Sequence, residues 1–375
     1  MRKHTRIRAV FSALLICLLF SACSEPEVQT DYSQKQVEER CIQLFDKYQE
    51  EKQEGSPIVF EDRTICVLIN ERPYPPYLQD PEPLLSFWST VQEGDTGKLE
   101  IVSFPMKGTM TYRLFQKTEQ SCILHTVRCG EKEDGSVYVE NYEVHDIQDM
   151  TLTSNGNFYY RILPAGDKHY PDYSLIRAYR VDPILYEMAE KYIVPVGYTG
   201  NNMFLTDWSE KTLGELCVND LFEVLSNMSA RSNVDVSRYP FHSTNHCYLI
   251  PAEIFEETVL GFLNLDVKKL RKYADYDPVS ESYPYRPIQT NDFVKLWYFS
   301  IDPVVTAKRE NPDGTITLCV EVLSRDVKCD CVFAHEVTIR PLSNGDFQYV
   351  SNQVVYISEY GLPYNQSRMQ LGPPA

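Results

Sequence analysis

The sequence predicts an α+β protein of two domains, each with helices packed on a curved antiparallel sheet. Three observations predict it. In each half, stripes of apolar residues at helical spacing come first and runs of period two follow. The strands are consecutive rather than alternating with helices, which favours antiparallel hairpins over parallel crossovers. Among 375 residues, Tyr is abundant at 26 and Gly scarce at 16, a balance suited to antiparallel sheets rather than Gly-looped nucleotide folds.

Residues 1–22 come before both domains and read as a signal peptide. Arg2, Lys3, Arg6 and Arg8 form a basic start, Ala9 to Phe20 an apolar run, and Ser21-Ala22 a small-residue end. The apolar run is too short for a bilayer core, which needs about 20 residues. The ending Phe20-Ser21-Ala22-Cys23 resembles the lipobox of bacterial lipoproteins, with Phe20 where Leu, Val or Ile is usual. The resemblance implies cleavage before Cys23 and acylation of its sulfur and new amino group. Its expected partner is the lipid bilayer, reached through acylated Cys23 at the outer face of the membrane. Residues 23–32 are polar and read as a tether.

The N-terminal α+β domain is expected over 33–165. Ser33 with Gln36 makes a capping box. Val37, Cys41, Leu44, Phe45 and Tyr48 form the stripe of a first helix, which Gly55 and Pro57 end. Thr64 to Ile69 reads as a strand, and a Pro-rich loop follows. Leu84, Leu85, Phe87, Trp88 and Val91 mark a second helix stopped near Gly94. Strands are expected at 98–104, 109–115, 121–128, 137–144, 147–153 and 157–163, the last after the hairpin signal Asn155-Gly156. Residues 164–175 read as a connection.

The C-terminal α+β domain is expected over 176–360. Asp182-Pro183 is an N-cap and N1 pair. Helices are expected there, around 212–228, from Pro251, and from Asp266 through Tyr273. Strands return at 294–301, 303–309, 316–323, 331–340 and 346–357, with hairpin turns at Asp313-Gly314 and Asn344-Gly345.

Ser154-Asn155-Gly156-Asn157-Phe158-Tyr159-Tyr160 matches Ser343-Asn344-Gly345-Asp346-Phe347-Gln348-Tyr349. Either the halves are a duplication or two common Asn-Gly hairpins coincide. A cone-shaped NTF2-like or cystatin-like architecture is the expectation for each. Phe87-Trp88, Gly97, Ile101-Val102-Ser103-Phe104, Gly108 and Tyr112-Arg113 resemble stretches of uncharacterised lipoproteins from clostridium-like Gram-positive bacteria. So do Ile250 to Glu256, Leu270-Arg271 and Tyr283-Pro284-Tyr285. That resemblance implies an address and a fold style, with no chemistry attached.

The net charge is −17, and loss of the four basic leader residues takes it to −21. Such a chain repels phosphate backbones, so no nucleic-acid partner is expected. Eleven cysteines are present; Cys17 leaves with the leader and Cys23 is the lipid site. The remaining nine are odd in number and irregularly spaced, which suits buried thiols better than a disulfide framework.

Candidate chemistry is sparse. His242, His246 and Cys247 are the most ligand-like group, but Pro240 and Ser243-Thr244-Asn245 favour a turn over the helix that would bring two imidazoles together. Cys329, Cys331 and His335 share strand parity with Phe333, Val337 and Ile339, which places them on a core face. His125 cannot meet Cys129 along a strand, and Cys122 points to the other face, so neither is a Cys–His nucleophile. No nucleophile elbow, P-loop or dinucleotide fingerprint occurs, and no cofactor is expected. Tyr273, Tyr276, Tyr283 and Tyr285 fall in an extended Pro-rich loop and either form a ligand or partner surface or plug a seam. The reading that follows is a non-enzymatic binding or interaction protein at the cell envelope. The alternatives are a transporter's solute-binding lipoprotein, which the consecutive strands disfavour, and an envelope hydrolase using carboxylates.

Overall fold

The computed structural model describes residues 31–51, 60, 62–70, 75–162, 173–230, 233–288 and 300–370. The leader, Cys23, the expected helix end at Gly55 and Pro57, and the strand start at 294 lie outside the described residues. The chain divides into two compact units. One is Met1–Asn70, Leu78–Asp149 and Ile162–Ala165; the other is Glu71–Tyr77, Met150–Arg161 and Gly166–Ala375.

Eight strands are β1 (Ile65–Ile69), β2 (Tyr77–Leu78), β3 (Gly97–Ser103), β4 (Thr109–Lys117), β5 (Cys122–Glu131), β6 (Val137–Leu152), β7 (Asn157–Ile162) and β8 (Ser174–Arg177). They close into a barrel in the order β1-β2-β8-β7-β6-β5-β4-β3. The barrel is mixed: β1 runs parallel to β3 and β2 parallel to β8, whereas β3 to β6 form an antiparallel meander.

This overturns the expected fold class. The first sheet is not an open antiparallel sheet with helices on one face, and the NTF2-like or cystatin-like shape does not hold. The two Ser-Asn-Gly turns sit in sheets of different strand number and closure, so the duplication has no shared architecture behind it. Two smaller expectations also change. Residues 137–144 and 147–153 are one strand, because His145 and Asp146 pair with β5 in unbroken register; the one bulge in this ladder is at Glu140. The expected connection at 164–175 ends inside β8.

Helix α1 (Gln34–Glu51) starts at the predicted box, with the Ser33 N–H donating to Gln36 Oε1 at 2.9 Å. Its Val37, Cys41, Leu44 and Phe45 bury against Val102, Met110, Tyr112, Leu114, Val127 and Cys129. Beside them Glu100, only 2% exposed, accepts from Arg40 Nε at 2.9 Å, Lys98 Nζ at 2.7 Å and Tyr112 Oη at 3.0 Å. Burial pushes the Glu100 carboxyl up, but Lys98 and Arg40 outweigh it and hold it below the usual value. Helix α2 (Glu82–Glu93) ends at Gly94, whose φ of +84° is a left-handed cap open to glycine.

Among the described residues of the second unit are the helices α3 (Pro183–Tyr192), α4 (Val218–Ala230), α5 (Ala252–Phe262) and α6 (Val267–Tyr273). Asp182 caps α3 and Asp266 caps α6, as predicted. Helix α4 starts six residues later than the expected 212, because the residues before it form turns.

The remaining strands are β9 (Trp208–Ser209), β10 (Phe241–His242), β11 (Cys247–Pro251), β12 (Ser282–Tyr285), β13 (Ile301–Glu310), β14 (Ile316–Ser324), β15 (Cys329–Pro341) and β16 (Phe347–Ile357). They form a sheet of order β13-β14-β15-β16-β9 and a small sheet of order β10-β11-β12.

Both sheets and the helices share one apolar core, in which Phe204, Phe222, Phe255, Phe333 and Tyr349 are fully buried. His335 and Asp220 are among the polar groups buried with it. His335 is surrounded: Asn352 Oδ1 lies 2.7 Å from Nδ1, and the Tyr198 hydroxyl 2.9 Å from Nε2. Asn352 Nδ2 donates to the Thr206 carbonyl, which makes its Oδ1 the acceptor for His335 Nδ1–H. Burial pushes the His335 ring down to about 4. Asp220 is held by the Arg368 N–H at 3.1 Å, and Arg368 Nη2 bonds the Asp220 carbonyl at 2.6 Å. Burial pushes the Asp220 carboxyl up to about 6, against the pull of Arg368.

Candidate functional site

A concavity lies in the second unit, beside α3 and the start of β13. Its volume is about 640 Å³, within the ~300–1,000 Å³ range of small-molecule sites. Local sequence explains each wall. Asp182 accepts from the Ile184 and Leu185 N–H groups at 2.8 and 3.2 Å, fixing the start of α3. The helix then presents Tyr186, Ala189 and Glu190 to the cleft. Strand β13 brings Ile301 to Val305, and β8 brings Leu175 and Arg177. Pro75 and Pro76, part of the Pro-rich loop, close another side.

Most of this lining is apolar, and the polar groups are few. Arg177 pairs across the ladder with Asn157, and Leu175 with Tyr159, so all four share one face of the β7–β8 ribbon. That face is pinned by Asp330, which accepts from Asn157 Nδ2 at 2.8 Å and Tyr159 Oη at 3.0 Å. Burial lowers the Arg177 pKa, while Tyr159, Asp302 and Asp330 oppose the shift. Its Nε is buried and has no hydrogen-bond partner. At the cleft's other charged corner, Arg325 Nε pairs with Asp302 at 3.2 Å. A buried guanidinium N–H without an acceptor carries a desolvation cost of about 1–3 kcal/mol that an incoming acceptor would relieve.

The residues singled out in sequence lie elsewhere. Tyr283 and Tyr285 are buried on β12, not in an extended loop. Tyr283 stacks on Phe255 at 4.0 Å and donates to Glu256 at 2.9 Å. Tyr276 is half-buried under Arg271, and Tyr273 is exposed at the end of α6. Tyr276 and Tyr283 meet with ring centroids 5.1 Å apart, while Tyr283 and Tyr285 are buried in the helix–sheet seam. His242 is exposed on β10, His246 sits in the following turn at φ +47°, and Cys247 is buried on β11. Among the described residues no three His, Cys, Asp or Glu side chains are grouped to hold a metal ion.

Near the expected core face of β15, His335 is buried, but Cys329 and Cys331 are only half-buried. Burial alternates regularly from Phe333 to Ile339, but the register against β14 shifts between Cys329 and Phe333, and the two cysteines fall in that irregular start of the strand. His125 is buried in the barrel sheet, its Nδ1 3.0 Å from the Tyr142 hydroxyl.

Sequence reasoning missed the cleft. Its residues run from Pro75 to Arg325, and none carries a motif. The one local signal nearby was Asp182-Pro183, which places α3 but says nothing of what faces it.

No helix among the described residues is long and apolar enough to cross a membrane. No curated protein and no solved structure matches the chain. A family model described as a family of unknown function (DUF6070) matches residues 33–368, and the chain belongs to that family.

Proposed function

We propose that this is an extracytoplasmic binding protein, anchored to the membrane by lipid on Cys23, that holds a small amphiphilic molecule in the cleft beside α3. The observation that carries the binding role is the cleft itself: an apolar wall of ligand-sized volume with the unpartnered Arg177 Nε at one end. The ligand class that fits is an apolar body with an acceptor, anionic by preference, directed at Arg177. The address is supported by the leader's basic, apolar and small-residue order and its lipobox-like end. Two or three acyl chains hold firmly where one is marginal. The clostridium-like likeness of the chain agrees with that address.

An anilinonaphthalene sulfonate titration tests the binding role, since the probe joins an aromatic body to an anionic group. The native protein is expected to saturate with one molecule bound. Val304→Trp, which fills the cleft from a half-buried position, is expected to abolish binding. Arg177→Met is expected to weaken it about tenfold, the loss of one charge-assisted hydrogen bond. Identical titrations for all three proteins would remove the cleft from the account.

A further inference from the structure

We propose that Cys41 and Cys129 are a disulfide pair, joined when the chain folds under oxidising conditions. Cys41 lies on α1 and Cys129 on β5, 88 residues apart in the chain, and their Sγ atoms are 2.8 Å from each other. Carbon atoms in contact settle at about 3.5–4.0 Å, and sulfur is the larger atom. Two unbonded thiols therefore have no reason to sit so close, and the gap is about 0.8 Å from a ~2.05 Å bond. Both residues are fully buried. Around them are Val37, Leu44, Phe45, Val127 and Met110, an apolar setting with no competing hydrogen-bond partner for either sulfur. No other two cysteines among the described residues lie within hydrogen-bonding distance. An odd total of nine is then a pair plus seven separate thiols, which the irregular spacing hid.

The bond forms by thiol–disulfide exchange with an external disulfide. The thiolate of one cysteine attacks that disulfide and expels one thiolate. The thiolate of the second cysteine then attacks the mixed disulfide and expels the other. Two electrons pass from the pair to the external disulfide, and the two protons of the pair end on the released thiols. The folded protein resists this step. Each sulfur is shut away from solvent, and the contact with Cys129 together with burial holds the Cys41 thiol protonated. The bond must accordingly close before α1 docks on the sheet, and once closed it is shielded from reductants.

The geometry stands without the export reading, which adds only an oxidising compartment. The test uses the full chain in two samples. One is reduced, unfolded and refolded with oxidised glutathione; the other is extracted from the cell envelope without reductant. Each is alkylated in denaturant and digested, and its peptides are weighed. The refolded sample is expected to give one linked peptide pair carrying Cys41 and Cys129, lighter than the two thiol peptides by two hydrogens. A Cys41→Ser chain is expected to leave Cys129 alkylated. Alkylation of both cysteines in the refolded protein, or linkage of either to another cysteine, overturns the proposal. A bond in the refolded sample with both thiols alkylated in the cell-derived one upholds the pair and counts against the export reading alone.

Discussion

Replacing Asp220 by Asn should make the protein acid-sensitive. In the folded chain this carboxyl, 2% exposed, titrates at about 6, against an ordinary 3.8. Between those values the folded state holds a proton that the unfolded state does not, so stability rises as pH falls. From pH 7 to 4.5 that gain is about 2 kcal/mol. His335 works in the other direction. Its ring titrates at about 4 when folded against 6.5 when unfolded, so the unfolded state takes the proton first. Over the same interval His335 loses about 2 kcal/mol. The two buried groups nearly cancel, and Asp220→Asn leaves the His335 loss unopposed. Asn keeps an acceptor for the Arg368 N–H. Urea unfolding followed by circular dichroism at pH 7 and 4.5 reads the difference. The variant should lose about 2 kcal/mol more than the parent on acidification. An equal loss in both proteins, or a smaller one in the variant, would refute the reasoning.

Three other outcomes are expected. Reduced and unlinked, the chain should be less stable than its oxidised form by about 4–5 kcal/mol, the entropy of a loop of that length, measured by unfolding with and without reductant. Glu100→Ala should cost about 3 kcal/mol in urea unfolding, because Arg40 and Lys98 lose their shared carboxylate and the Tyr112 hydroxyl its buried acceptor. Cys23→Ala should move the protein from the membrane pellet to the soluble fraction, as judged by blotting after ultracentrifugation.

Local chemistry was readable in the sequence and distant pairing was not. The capping box at Ser33, the caps at Asp182 and Asp266, and the turns at Gly314 and Gly345 depend on residues within a few positions, and all occur where expected. Barrel closure depends instead on β1 finding β3 in parallel register, Ile65 against Glu100, and on β2, a strand of only two residues. A two-residue strand has no periodicity to detect. Strand β6 was split at His145-Asp146 in sequence, yet both residues pair with β5 in register, a continuity set by the neighbouring strand. The cleft was invisible for a related reason. Arg177, Asp302 and Arg325 are ordinary surface types in sequence, and only folding brings them to one cavity. The tyrosines stayed open between two readings because aromatic rings among prolines suit an exposed loop and a packed seam alike. Register against β11 decided for the seam in the case of Tyr283 and Tyr285.

The most direct test of an anchored binding protein is a native mass spectrum of the chain taken from its own envelope in mild detergent. The account predicts a protein beginning at an acylated Cys23 and carrying one non-covalent small molecule that Val304→Trp removes. A spectrum with the leader intact or the Cys23 sulfur bare, and with no bound molecule on either parent or variant, would contradict it.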